Sequence, residues 1–119
     1  MTRILVVEDD FLLALDMTDV LEDLGYEIIG PVMNLDAGIK IARSEKMDFA
    51  LLDVNLGNGL TSAPIAAILR ERCVNFTFVT AYTRAQIGYA HDNERILSKP
   101  VSHDDLKTEL GRVDKRLQP

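Results

Sequence analysis

The sequence predicts an α/β fold built on a doubly wound parallel sheet. Five short apolar runs, at 3–7, 26–29, 49–53, 76–80 and 95–97, alternate with stretches whose apolar residues recur at helical spacing. The connections are short, and such alternation lays strands side by side with helices covering both faces. Four of the five runs end on an acid, a hydroxyl or a lysine. In an open parallel sheet, ligands bind just beyond the carboxyl ends of the strands.

Arg3–Val7 is rich in β-branched residues, as a strand buried on both faces is. From Phe11 to Leu24, the residues Leu13, Met17, Val20, Leu21 and Leu24 form a helical stripe, and Gly25 closes it as a C′ residue. Tyr26–Ile29 reads as a second strand, stopped by Gly30-Pro31. Asn34 caps a second helix, Leu35 to about Lys46, with Leu35, Ile39 and Ala42 inward. The third strand, Phe49–Asp53, runs into a glycine- and asparagine-rich turn. Thr61 or Ser62 then caps a helix reaching to about Arg72, with Pro64 in its first turn and Ile65, Ile68 and Leu69 buried. Phe76–Thr80 is the fourth strand. The stretch from Thr83 to His91 is only weakly helical, since it contains Gly88 and its apolar pattern is poor. Arg95–Leu97 is a short fifth strand leading into Ser98-Lys99-Pro100. Ser102 and Asp105 have the spacing of a capping box, with Asp in place of the usual Glu. The last helix, to about Leu117, presents Leu106, Leu110, Val113 and Leu117 on one face.

The 119 residues suffice for one domain with one core, and no repeat or linker divides them. The expectation is a single domain over 1–119. The net charge of −6, from 13 basic and 19 acidic residues, argues against direct DNA or RNA binding. It suits a protein that holds a cation, although Asp16, Asp19, Glu22 and Asp23 read as the solvated side of a helix. Cys73 is the only cysteine, so no internal disulfide forms, and neither His91 nor His103 has a partner at zinc-ligand spacing. No apolar run approaches the roughly 20 residues that span a bilayer. The opening Met1-Thr2-Arg3 lacks the layout of a signal peptide, which makes the cytoplasm the expected location.

The polar strand ends are Glu8-Asp9-Asp10, Asp53, Thr80 and Lys99. Taken singly, each has an ordinary explanation. The acids after the first strand suit a helix cap, and Asp53 suits a turn. Thr80 suits a strand end and Lys99 the start of a loop. Taken together, they converge on one edge of the sheet. Clustered carboxylates repel unless something positive sits among them. Mg²⁺ answers that need, because it prefers oxygen ligands, and Lys99 adds a second charge. Acids, a divalent ion, a lysine and a hydroxyl are what a phosphoryl group requires. A carboxylate can itself be the nucleophile and form an aspartyl phosphate.

Over nearly its whole length the chain resembles the receiver domains of two-component response regulators. The resemblance lies in Val7-Glu8-Asp9-Asp10, Leu52-Asp53-Val54-Asn55-Leu56, Val79-Thr80-Ala81 and Ser98-Lys99-Pro100. It implies a flavodoxin-like sheet of order 2-1-3-4-5 with five helices. It implies Asp53 as phosphoacceptor, with Thr80 and Lys99 contacting the phosphoryl oxygens. It also implies Mg²⁺ held by Asp9 and Asp53, by Glu8 through water, and by the backbone carbonyl of Asn55. The implied partners are a histidine kinase as phosphodonor and a downstream protein target, with homodimerisation left open and no membrane contact. The chain departs from the pattern at two positions. Ile96 stands where many receivers carry an aromatic residue, and Gly57 where many carry proline. Phe78-Val79-Thr80-Ala81-Tyr82 resembles a receiver subgroup with a Phe-Ala-Thr-Gly-aromatic segment, which makes Tyr82 a candidate for the missing aromatic's role.

Three rival readings carry less. An aspartate-based phosphatase would want a second acid two residues after its nucleophile, where this chain has Asn55. A nucleotide or flavin module would want a glycine-rich phosphate loop after the first strand. A receiver working by protein contacts alone would not need its acids and Lys99. The expected role is therefore a switch rather than an enzyme. A phosphate sink or shuttle, or a receiver cut from a larger regulator or hybrid kinase, is the alternative.

Overall fold

The computed structural model describes residues 2–117. The elements are β1 (Arg3–Val7), α1 (Phe11–Asp23), β2 (Glu27–Val32), α2 (Leu35–Ser44), β3 (Phe49–Asp53), α3 (Ala63–Glu71), β4 (Asn75–Thr80), α4 (Arg84–Ile87), β5 (Arg95–Ser98) and α5 (His103–Leu117). The strands form one parallel sheet in the order β2-β1-β3-β4-β5, as expected.

Alternation along the strands divides the core into two layers. Leu5, Val7, Ala50, Leu52 and Phe78 face Ala42 of α2, Ile65 and Leu69 of α3, and Ile87 of α4. Ile4, Val6, Phe49, Leu51 and Val79 face Met17 and Leu21 of α1, and Leu106, Leu110 and Val113 of α5. Each fully buried Leu, Ile or Phe contributes about 1.5–3 kcal/mol. Both faces of the central strands are therefore covered, so strand residues reach solvent only at the edges and the ends of the sheet.

The local signals place most helix ends. Asn34 Oδ1 accepts from Ala37 N at 2.9 Å. Ser102 and Asp105 exchange hydrogen bonds of 3.0 and 3.2 Å. Gly25, at φ +95°, donates to Glu22 O after α1. In α1 the stripe is displaced by part of a turn: Ala14 is buried, while Leu24 becomes the C-cap and is exposed. Leu13, Leu35, Ile39 and Ile68 are half-buried against the core. The expected inward position of the Leu117 side chain lies outside the described residues.

Two expected boundaries are corrected. The second strand does not stop at Gly30-Pro31 but continues to Val32. β2 lies at the sheet edge, where a proline without an N–H is tolerated. The register slips between the Leu5–Ile29 and Val7–Val32 pairs, which absorbs the extra residue. Gly30 is required there, since its φ is +104° and a Cβ would meet Val32 N at 2.6 Å. The weakly helical stretch from Thr83 to His91 is a helix only over Arg84–Ile87. Thr83 and Gln86 form a reciprocal capping box, and Gly88 ends the turn at φ +78°. Beyond it, side chains hold the chain: Arg84 donates to His91 O and Glu94 O, each at 2.7 Å. The poor apolar pattern of this segment reflects a loop anchored by guanidinium groups. Among the described residues, no helix is long and apolar enough to cross a membrane.

Candidate functional site

Four strand ends deliver polar groups to one edge of the sheet. β1 leads into Glu8, which is wholly buried and whose N–H donates to Val32 O at 2.9 Å. β3 ends on Asp53, 4% exposed, and β4 on Thr80, 3% exposed. β5 pairs Ser98 with Thr80, and the next residue, Lys99, donates its N–H to Thr80 O at 2.8 Å. Carboxylate oxygens of Glu8, Asp9 and Asp53 all lie within 4.8 Å of one another. The Lys99 ammonium is 2.8 Å from Glu8 Oε1 and 3.4 Å from Asp53 Oδ1. A cleft of about 380 Å³ opens above them, its lining including Asp9, Asp10, Asp53, Thr80, Tyr82 and Lys99.

The electrostatics follow from burial. Burial, then hydrogen bonds with Glu8 and Asp9 and the Glu8 charge, push the Asp53 carboxyl up to about 8, against the opposing pull of Lys99. Burial works against the Lys99 ammonium, but its contact with Glu8 and the charges of Asp53 and Glu8 outweigh it and raise its pKa. Two buried acids thus share one ammonium. The donor set is three carboxylates at close range, all oxygen, which fits a hard divalent cation such as Mg²⁺.

The three consecutive acids divide their work. Asp10 is the N-cap of α1, its Oδ1 accepting from Leu12 N at 3.1 Å and Leu13 N at 3.2 Å. Asp10 thus caps the helix while also lining the cleft, and the carboxylates that meet Asp53 are those of Glu8 and Asp9. Asn55 spends its side-chain oxygen on Gly57 N at 3.0 Å, and the residue bridges Thr61 across the turn. Gly57, Asn58 and Gly59 have φ of +85°, +53° and +75°. Proline cannot adopt such a φ, so this loop as folded has no place for one at 57.

Ile96 is half-buried and pairs in register with Phe78, carrying no polar group toward the site. Tyr82 stands at the cleft wall, 41% exposed, and its N–H donates to Thr80 Oγ1 at 3.0 Å. Two polar features had no place in the sequence reading. Tyr89, between α4 and β5, reaches across to Ser62, and no local pattern marks it. Glu109 is 4% exposed and accepts from Thr77 Oγ1 at 2.8 Å and from Arg95 at 2.7 and 2.9 Å. An acid beside the apolar stripe of α5, opposite a threonine in an otherwise apolar strand, was the available signal.

A five-stranded parallel sheet in this order, opening on an acidic cleft with a lysine at its carboxyl edge, defines the class as a phosphosignalling receiver fold. The chain belongs to the response regulator receiver domain family, whose pattern it matches over residues 4–111. Members of this family are signalling switches rather than catalysts. The chain is similar to the transcriptional regulatory protein PdtaR of Mycobacterium tuberculosis, at 29% identity over 87% of this chain and 52% of PdtaR. It is similar to the phyllosphere-induced regulator PhyR of Methylorubrum extorquens, at 30% identity over 94% of this chain and 43% of PhyR. It thus spans about half the length of these curated relatives. Its fold also matches the receiver domain of the sensor histidine kinase PA1611 from Pseudomonas aeruginosa, with a TM-score of 0.78 and 22% identity over 93% and 95% of the two chains. That structure holds a magnesium ion in its active-site cleft.

Proposed function

We propose that this chain is a phosphoryl-accepting switch in which Asp53 is the acceptor. The observation that carries the proposal is the meeting of Glu8, Asp9 and Asp53 oxygens within 4.8 Å, with Lys99 in contact with two of the three. An Asp53 carboxylate oxygen attacks the phosphorus of a phosphohistidine on a histidine kinase. The P–O bond forms, the P–N bond breaks, and its electron pair returns to the imidazole nitrogen, which takes up a proton. Lys99 and the Thr80 hydroxyl hold the phosphoryl oxygens, and Tyr82 limits access from solvent at the cleft wall. Asp9 and Asp53, with Glu8 through water and the Asn55 carbonyl, would hold Mg²⁺. When bound, Mg²⁺ neutralises the carboxylates and the phosphoryl charge and keeps Asp53 ionised at neutral pH. The PA1611 receiver supports this assignment by its own magnesium.

Thr80 also accepts the Tyr82 N–H, so a Thr80 drawn toward a phosphoryl group takes the start of the β4–α4 connection with it. That displacement alters the surface near α4, where a downstream protein binds. A phosphoryl sink uses the same chemistry without a downstream contact. Acetyl phosphate with Mg²⁺ tests the chemistry. The expected product carries one phosphoryl group on Asp53, is cleaved by hydroxylamine, and is absent in Asp53→Asn. A hydroxylamine-resistant label, or equal labelling of Asp53→Asn, would refute the assignment.

A further inference from the structure

Tyr89 lies in the connection between α4 and β5, yet its side chain reaches the segment that follows Asp53. Its hydroxyl and Ser62 Oγ share a hydrogen bond of 2.9 Å. Ser62 is fully buried at the N-cap position of α3, and its side chain caps no N–H of that helix. Its main-chain N–H donates to Val54 O at 3.0 Å, and its neighbour Thr61 bridges Asn55. Ser62 and Thr61 therefore hold Val54 and Asn55, the two residues after Asp53, from the far side of the turn. Within the turn, Leu56 N donates to Leu60 O and Leu60 N to Gly57 O, each at 2.9 Å, so the Ser62 contact adds an anchor at its base.

Tyr89 is in turn clamped from behind. Its ring packs edge-on against Phe78, with centroids 5.6 Å apart and planes at 77°. Its carbonyl accepts from Arg70 at 2.8 Å, and Arg70 also grips Glu94 with two bonds of 2.7 and 2.8 Å. Phe78 is the register partner of Ile96, whose side chain has no group to make such a link. Burial raises the Tyr89 pKa, hydrogen bonds with Ser62 and Thr61 lower it, and the Asp53 charge adds to the rise.

We infer that the Tyr89–Ser62 hydrogen bond positions the Val54–Asn55 backbone and couples occupancy of the acidic cleft to the α4–β5 connection. This rests on the reading of the cleft as a Mg²⁺-dependent phosphoacceptor site. Tyr89 is a positioning residue: it acts through Ser62 and touches no reacting atom. Coupling of this kind is reciprocal. Cleft occupancy reaches Ile87–Ala90, and loss of the bond weakens binding in the cleft.

The test is a Mg²⁺ titration of the whole chain followed by backbone amide NMR, on wild type, Tyr89→Phe and Ser62→Ala. Wild type shifts the amides of Asn55 and Gly57 at the site and those of Ile87–Ala90 at a distance. Both variants keep the melting profile of a folded domain and weaken Mg²⁺ binding about twofold to tenfold, the range of one lost hydrogen bond. Both lose more than half of the distant shift, and the double variant is no worse than either single one. The variants break the bond from opposite sides, so one folded variant suffices to decide. Where both fold, an effect in only one overturns the inference, as do variants indistinguishable from wild type. If wild type shifts Asn55 and Gly57 but not Ile87–Ala90, the coupling fails while the site reading stands. If wild type shifts neither, the site reading fails and the inference falls with it.

Discussion

The Lys99 ammonium lies 2.8 Å from the carboxylate of Glu8, a residue with no exposed surface. The contact to Asp53, at 3.4 Å, is longer. The lysine that reaches Asp53 is therefore tethered first to a neighbouring acid, which fixes its head group at the rim of the cleft. A buried charge is tolerated only when paired, so Glu8 and Lys99 explain each other.

Lys99→Ala removes the only cation near three carboxylates among the described residues. The variant is expected to lose about 3 kcal/mol of stability at pH 8, because truncating one partner leaves a buried charge uncompensated. Urea unfolding with and without Mg²⁺ measures this, and the added cation should restore part of the loss. Labelling by acetyl phosphate should fall at least about tenfold, since a donor to the phosphoryl oxygens is gone.

Asp53 makes stability depend on pH in an unusual direction. Its folded pKa, about 8, lies far above its ordinary 3.8. Between these values the folded state binds a proton that the unfolded state releases, so stability falls as pH rises, and the penalty is complete above about 8. In metal-free protein, Asp53→Asn should melt about 5 °C or more above wild type at pH 8.5, with the gap closing toward pH 4. Mg²⁺ should shrink the gap at high pH by stabilising the ionised wild type. Calorimetry across pH checks both, and a gap that widens on acidification would contradict the assignment.

Glu109 ties α5 to β4 and β5. Burial alone would raise its pKa, but hydrogen bonds from Arg95 and Thr77 and the Arg95 charge outweigh it and lower the value. Its contribution to stability is therefore present above its ordinary 4.5 and lost as pH falls through the lowered folded value. Arg95→Ala should cost about 2 kcal/mol at neutral pH, discounted for the partial exposure of the arginine. Denaturant unfolding should show the midpoint lowered with the slope unchanged.

Gly57→Pro tests the loop that follows Asn55. With φ at +85° the ring cannot close without moving the loop. The variant should lose about 2 kcal/mol or more and bind Mg²⁺ more weakly, because the loop carries Asn55. Gly57→Ala is also strained at φ +85° but should cost less, since a Cβ meets Asp9 Oδ2 at an unforced 3.8 Å and the N–H that donates to Asn55 is kept. Thermal melts and Mg²⁺ titration of the pair separate ring constraint from steric contact.

Much of the fold was legible because its signals are local. The apolar runs, Gly25 after α1, Asn34 before α2 and the Ser102–Asp105 box each act within a few residues, and the chain reads them in order. Glu8, Asp9, Asp53, Thr80 and Lys99 were legible for a related reason. Each follows or ends a strand, and parallel strands bring their carboxyl ends to one edge.

Only the tertiary structure decided the remainder. It carried β2 past Gly30-Pro31, because β1 offered a partner for Val32. It gave Asp10 the cap of α1 and brought the Asp9 carboxylate to Glu8 and Asp53, although both residues line the cleft. It reduced α4 to one turn and handed the chain beyond it to Arg70 and Arg84. It joined Tyr89 to Ser62 and Glu109 to Thr77, pairs 27 and 32 residues apart. The physical reason is common to all of these. Periodicity and capping are energies of neighbours along the chain, whereas a buried polar group is satisfied by whatever the fold brings beside it.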